Sequence, residues 1–163
     1  MTMNFSGVKE KTLVLIKPDG VQRGLIGEVL MRFERKGLKV IGAKMMSLDE
    51  AVLREHYAHI SDKPFFPGVS KFMQKSPVVA VCLEGLDVVA AVRKIVGITK
   101  SREADAGTIR GDFAMSVACN VVHASDSVDA ARQEVPRFFK SDDLFEYDKN
   151  EYEHVYMDDE LSK

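Results

Sequence analysis

Four short runs of apolar and β-branched residues limit what this chain can fold into: TLVLI at 12–16, LKVIGAKMM at 38–46, PVVAVCL at 77–83 and MSVACNVV at 115–122. Runs of that length, bounded by Gly, Pro or charge, read as strands, and the segments between them repeat apolar residues at the helical period. After the first run Pro18-Asp19-Gly20 signals a turn. Leu25, Ile26, Val29, Leu30 and Phe33 then line one face of a helix that Gly37 closes. Ser47 with Glu50 forms a capping box ahead of a second helix carrying Val52, Leu53, His56, Tyr57 and Ile60. "DKPFFPG" at 62–68 breaks that helix, and a short helical piece follows through Met73. A helix over 88–96 stops at Gly97, and a polar loop long enough to be functional covers 98–112. The fourth strand is followed by a helix over 128–139 and an irregular acidic tail.

Strands and helices alternating in this order, with the helices on one face, fit a four-stranded split βαβ sandwich; an open parallel sheet is the competing layout. A Gly-rich phosphate loop would favour the competitor, and the chain has neither GxxxxGK[ST] nor GxGxxG. Any phosphate must therefore be met by side chains. The length of 163 residues and 45% hydrophobic content suffice for one sizeable core, so a single domain over 1–163 is expected, with an N-terminal extension at about 1–9 and an acidic tail at about 157–163.

A formal net charge of −2 offers no basic field for a nucleic-acid backbone or an anionic membrane, which weighs against nucleic acid as the main partner. Cys82 and Cys119 sit in apolar runs with no CxxC or zinc spacing and read as buried free thiols suited to a reducing compartment. The N-terminus lacks the apolar core of a signal peptide, and no stretch has the length of a membrane span. A soluble, cytoplasmic protein is expected.

The residues able to carry chemistry are few. "NVVHASDS" at 120–127 ends a strand on His123 and then supplies three good N-cap residues, so a structural histidine before a capped helix is the simpler alternative to catalysis. Lys17 leaves the first strand just before Pro18. Arg93 lies in an otherwise apolar helix, and Arg110 sits between Gly107 and Gly111, where glycines let backbone approach a ligand and a planar guanidinium grips phosphate oxygens. Thr99 and Asn120 add neutral donors. Phe65 and Phe66, flanked by prolines, either plug the core or offer a face to a planar heterocycle. His56 and His59 share a helix without a visible third metal ligand. A histidine among cations suits nucleophilic attack on phosphorus, where alignment and charge stabilisation matter most.

"LIKPDGVQRGLIGEVLMRFERKGLKVIGAK", "HY", "DKPFFPG", "SPVVAVCLEG", "GTIRGDFA" and "NVVHASDS" resemble, in order and spacing, the nucleoside diphosphate kinases over about residues 10–156. The resemblance implies an α+β, ferredoxin-like βαββαβ sandwich with a four-stranded antiparallel sheet and additional helices. It implies passage of the γ-phosphate of a nucleoside triphosphate to a nucleoside diphosphate by a ping-pong route through phosphohistidine. By resemblance His123 is the nucleophile and Glu134 holds its ring. Lys17, Tyr57, Arg93, Thr99, Arg110 and Asn120 match phosphate and sugar contacts, with Lys17 also counted in the catalytic set, and Phe65 and Val117 flank the base. Magnesium (Mg2+) is implied as the cofactor, bound through the nucleotide, with Asp126 reaching it through water rather than as a direct ligand. A homo-oligomer, hexamer or tetramer, is implied as well.

The chain departs from the family pattern at Ala124, where Gly is usual, and at Ser101 and Asp105-Ala106, where proline is common in a loop that joins subunits. A non-catalytic module that senses nucleotides or binds single-stranded nucleic acid through Phe65 and the arginines is the second hypothesis.

Overall fold

The computed structural model describes residues 4–5 and 9–162, with side chains for 9–160. At its centre β2 (Lys9–Ile16, after a two-residue β1 at Asn4–Phe5) runs antiparallel to β4 (Val78–Leu86) on one side and β5 (Val122–Ala124) on the other. The strand β3 (Lys39–Met46) closes the sheet against β4, giving the order β3-β4-β2-β5 with every pairing antiparallel. Helices α1 (Pro18–Gln22) and α2 (Ile26–Arg35) connect β2 to β3, and α5 (Val88–Val96) and α6 (Ile109–Phe113) connect β4 to β5. Between β3 and β4 the chain inserts α3 (Glu50–His56) and α4 (Phe66–Met73), and α7 (Val128–Phe138) follows β5. This is the α+β, ferredoxin-like arrangement with additional helices, and the parallel competitor is excluded.

The central strand explains why both faces are covered. Leu13 and Leu15 pack with Leu53 of α3, Phe66 and Met73 of α4 and Phe138 of α7, while Val14 and Ile16 pack on the opposite face with Phe33 of α2 and Val92 of α5. A strand buried on both faces is a continuous apolar run rather than an alternating one, as TLVLI is. The expectation of helices on one face is therefore corrected: α2 and α5 lie on one side of the sheet, and α3, α4 and α7 on the other.

Other local expectations also change. The fourth strand is only Val122–Ala124, because residues 115–119 are exposed loop; Cys119 is accordingly exposed, whereas Cys82 is buried as expected. The Pro18-Asp19-Gly20 turn is the start of α1, and the long polar loop contains a 3-10 turn at Ser101–Glu103 as well as α6. Ala124 lies in extended β5 paired with Val14, where a side chain is accommodated at 3% exposure. Ser101 is buried and donates to the Ser116 carbonyl at 2.8 Å, a bond that proline would lack. Of the expected N-terminal extension, residues 1–3 and 6–8 lie outside the described residues, as does residue 163 of the tail. The tail is more than a solvated end: β6 (Leu161–Ser162) pairs with β1.

The cap of α3 is likewise displaced. With Glu50 as the first helical residue, Ser47 is too far upstream, and Asp49 accepts the Val52 N–H at 2.8 Å. Asp49→Ala is expected to lower stability by about 0.5–2 kcal/mol in denaturant melts. Ser47→Ala should change it by less than about 0.5 kcal/mol; the opposite ranking would restore the capping box.

Candidate active site

The strand register assembles the site. Leu15 is paired directly with His123, and beyond that pair the Lys17 N–H donates to the Val121 carbonyl at 2.8 Å. The Lys17 side chain thus leaves β2 beside the segment entering β5. Its Nζ donates to Asn120 Oδ1 at 2.7 Å and to the Ala118 carbonyl at 3.3 Å. Asn120, 1% exposed, donates in turn to the carbonyls of Val117 at 2.9 Å and Thr99 at 3.4 Å. Burial and the Arg110 charge push the Lys17 ammonium down to about 8, against the opposing effect of Asp19 and Cys119.

Directly paired residues in an antiparallel ladder point to one face, so His123 shares the face of Leu15, towards α3 and α7. There the Ser127 hydroxyl accepts from Ala130 N at 3.0 Å and caps α7, as expected from the Ser-Asp-Ser run. The helix carries Glu134 back over the strand. His123 Nε2 lies 3.0 Å from Glu134 Oε2, and the buried Ser125 hydroxyl donates to the same oxygen at 2.7 Å. Burial pushes the Glu134 carboxyl up, but hydrogen bonds from His123 and Ser125 outweigh it and hold it below the usual carboxylate range. An ionised carboxylate only accepts, so Nε2 carries the ring proton and Nδ1 keeps its lone pair. His123 is central in its strand rather than terminal, and its neighbour chooses which ring nitrogen keeps a free lone pair.

Three residues of this cluster were not singled out for the site in the sequence. His56 stands edge-on to His123, ring centroids 4.5 Å apart, and is 6% exposed. Arg137 donates from Nε to Glu55 at 2.8 Å and approaches His56 Nδ1 with Nη1 at 3.4 Å. Ser125 completes the set. The signal for Arg137 was its i+3 spacing from Glu134 on α7; for His56 it was its place before Tyr57 and its spacing from His59. Donor atoms of His56, His123 and Glu134 lie within 4.8 Å of one another, the third-ligand geometry not visible in sequence. Here these atoms are engaged with protein, with Arg137 beside His56 and two donors on Glu134. Burial and then the neighbouring His123 push His56 down to about 3, while burial and then Glu134 push the Tyr57 hydroxyl up to about 12, so both are neutral near pH 7.

These groups line a pocket of about 850 Å³ together with Arg93, Thr99, Arg110 and Asp126. At its mouth Phe65 and Val117 are 58% and 56% exposed, while Phe66 is 1% exposed, so the two adjacent phenylalanines split between a free aromatic face and a core plug. Arg110, 4% exposed, donates from Nη1 to the Gly97 carbonyl at 2.9 Å and from Nη2 to the Val122 carbonyl at 2.7 Å. Its fork is thus fixed by backbone, with N–H groups to spare for a ligand. Burial and the adjacent Arg93 push its guanidinium down to about 10, still a cation at pH 7. The flanking glycines serve the loop rather than ligand approach. Gly107 takes φ 90, and a Cβ on Gly111 would overlap the Asp105 carbonyl.

Comparisons with known proteins agree with one another. The nucleoside diphosphate kinase family model matches residues 10–144. The nucleoside diphosphate kinase of Parabacteroides distasonis is 50% identical over 152 residues, covering 93% of this chain and 99% of that protein. Among solved structures, a halophilic nucleoside diphosphate kinase from Halobacterium salinarum in complex with CDP aligns with a TM-score of 0.89 at 44% identity, over 92% of this chain and 100% of the other. A transition-state mimic of the Borrelia burgdorferi enzyme with bound vanadate and ADP aligns at 0.83 and 38% identity, over 88% of this chain and 95% of that one.

The buried, neutral His56 ties stability to pH. Its pKa is lower in the fold than in the unfolded chain, so the unfolded state binds the extra proton and stability is lost as pH falls below 6.5 towards 3. Between pH 6.5 and 5, above the range in which paired carboxylates titrate, about 1–2 kcal/mol of stability should disappear. Chemical denaturation of His56→Gln across the same interval should show a flatter dependence; an unchanged slope would place the titrating group elsewhere.

Proposed function

The chain belongs to the nucleoside diphosphate kinase family, a family of phosphotransferases, and from that premise we propose that it transfers the γ-phosphate of a nucleoside triphosphate to a nucleoside diphosphate by a ping-pong route through phosphohistidine on His123. The observation that carries this reading is the 3.0 Å contact of His123 Nε2 with a carboxylate, which leaves Nδ1 unprotonated with its lone pair available. The Nδ1 lone pair forms the N–P bond as the bond from the γ-phosphorus to its bridging oxygen breaks, and the electron pair leaves with the nucleoside diphosphate. A terminal oxygen of the acceptor diphosphate then attacks the same phosphorus, the P–N bond breaks, and its electrons return to the ring. The Nε2 proton stays with the ring throughout, and Glu134 stabilises the imidazolium character that develops.

Charge stabilisation falls to Lys17, Arg93 and Arg110, with hydroxyl and amide contacts from Tyr57, Thr99 and Asn120. Arg110 is held by carbonyls before ligand arrives, so little reorganisation accompanies transfer. Phe65 stacks on the base from one side and Val117 meets it from the other, which favours bases broadly because stacking reads no hydrogen-bonding edge. Divalent metal use is general in the family, and Mg2+ is proposed here. Four cationic side chains line the pocket or its cluster and Asp126 is an exposed carboxylate among its lining residues, a donor set that fits an ion carried by the nucleotide rather than one caged by protein. When bound, the ion neutralises phosphate charge. A non-catalytic module would have no use for a carboxylate on the imidazole, which disfavours that reading.

We further propose a single catalytic domain that acts in the cytosol as a homo-oligomer. Met45, Phe145 and Met157, 58%, 65% and 71% exposed and outside the pocket, are apolar surface suited to contacts between copies. Among the described residues no helix is long and apolar enough to cross a membrane.

Incubation with γ-labelled ATP should yield a phosphoprotein labile in acid and stable in base. In His123→Ala the label and the exchange activity should vanish while nucleotide affinity changes little; stoichiometric label in that variant would sink the mechanism. The lysine gives an independent test. With a free-enzyme pKa of about 8, Lys17 must regain its proton when phosphates bind, so affinity should weaken as pH rises through 8 rather than through 10.5. Calorimetry near pH 8 in buffers of differing ionisation enthalpy should register proton uptake by the wild type and none by Lys17→Met.

A further inference from the structure

We propose that Asp19 is a positioning residue for the transfer: its carboxylate clamps Val121 in a strained γ-turn that sets the spacing between His123 and the Lys17–Asn120 pair. The inference deepens the phosphohistidine reading and rests on it. Val121 has φ 69, and the Val122 N–H reaches back to the Asn120 carbonyl at 2.8 Å. That i→i+2 bond closes a three-residue turn with positive φ, a conformation rare even in loops. For a β-branched residue it is a genuine outlier, and such outliers persist only where the surroundings over-determine them.

The surroundings here do so from several directions. Asp19 Oδ2 accepts the Val121 N–H at 2.9 Å, and the Val121 carbonyl accepts from Lys17 N at 2.8 Å. Arg110 spans the turn, donating from Nε to the Asn120 carbonyl at 3.4 Å and from Nη2 to that of Val122 at 2.7 Å. The first turn of α1 presses so close that a Cβ on Gly20 would lie 3.0 Å from the Val121 carbonyl oxygen and 2.9 Å from Ile16 Cγ2. Of these restraints, the Asp19 bond comes from a side chain that does not line the pocket. The other carboxylate oxygen, Oδ1, is buried and makes no hydrogen bond among the described residues, a desolvation cost accepted for the sake of the one contact. Asn120 and Val122 flank the clamped residue, and His123 follows. Relaxing Val121 to an extended conformation would swing Asn120, with its hold on Lys17, relative to the nucleophile.

Glycine provides the test, because it adopts positive φ without the penalty that valine carries. Single-turnover phosphorylation of His123 by ATP is measured in wild type, Asp19→Ala, Val121→Gly and the double variant, alongside ADP affinity and thermal melting. Asp19→Ala should slow phosphorylation on the order of 10–100-fold where residue 121 is valine, the range set by the strain released. In the Val121→Gly background the same change should cost no more than about threefold. Affinity for ADP should move far less than the rate. Asp19→Asn, whose amide oxygen can still accept from Val121, should keep at least about half the wild-type rate. Equal losses by Asp19→Ala in both backgrounds, or losses that follow melting temperature alone, would overturn the proposal. Should Asp19→Ala fail to fold, the Asn variant decides: near-normal rate supports the clamp, and a loss of about tenfold or more refutes it. A wild type that takes no label on His123 would instead sink the phosphohistidine reading, so the two failures are distinguishable.

Discussion

The pairing of β5 with β2 is the constraint on which the site depends. Three residues of strand, with Leu15 opposite His123 and the Lys17 N–H carried on to Val121, fix the end of β2 against the start of β5. From that pairing the rest is geometry. One face of β5 receives the helix bearing Glu134, and the segment before it receives the lysine and the arginine. A one-residue slip would exchange His123 with Val122 or Ala124, turning the imidazole into the α2–α5 core and an aliphatic side chain into the pocket.

Electrostatically the site is built in excess of cations, and the fold accommodates this by spending their hydrogen bonds on carbonyls. Lys17 and Arg110 are both depressed by burial and, in part, by other cations, so neither is comfortable without an anion. An anionic ligand would supply the missing charge, so the pocket is more complementary to an anion than to water. Next to His123 stands His56, kept uncharged, with Tyr57, kept protonated, packed edge-on against it. A protonated His56 beside His123 would oppose any positive charge that the His123 ring acquires.

Much of this was readable in the sequence, and the failures are instructive. TLVLI as a buried strand, the helix over 88–96 and the Ser127 cap follow from local chemistry, and the quoted motifs marked Lys17, Phe65, Arg110, Asn120 and His123, which the fold brings to one pocket. The reading of MSVACNVV as a full strand failed because apolar content cannot report that Val121 takes a positive φ and interrupts the ladder. The functions assigned to the glycines around Arg110 failed for a related reason: a glycine is equally consistent with ligand approach and with a carbonyl packed against it. In sequence His56 reads only as half of a histidine pair and Arg137 has no more than its spacing from Glu134, since the cluster joins α3, β5 and α7, and only tertiary packing makes those elements neighbours.

The same topology has a consequence for synthesis. The buried bond from Leu13 N to the Ser125 hydroxyl spans 112 residues, and Glu134 enters later still. Contacts that distant in sequence form late, and a chain emerging from the ribosome cannot close them until β5 and α7 are both free. Until then β2 has β4 for a partner on one side and an open edge on the other, and the arginines and lysine of the pocket have no histidine beside them. A chain interrupted before α7 would retain much of its sheet and its cations while lacking the carboxylate that orients the ring. On this topology the candidate site is completed only by the last third of the chain, so a truncated product that bound anions would be no measure of the finished site.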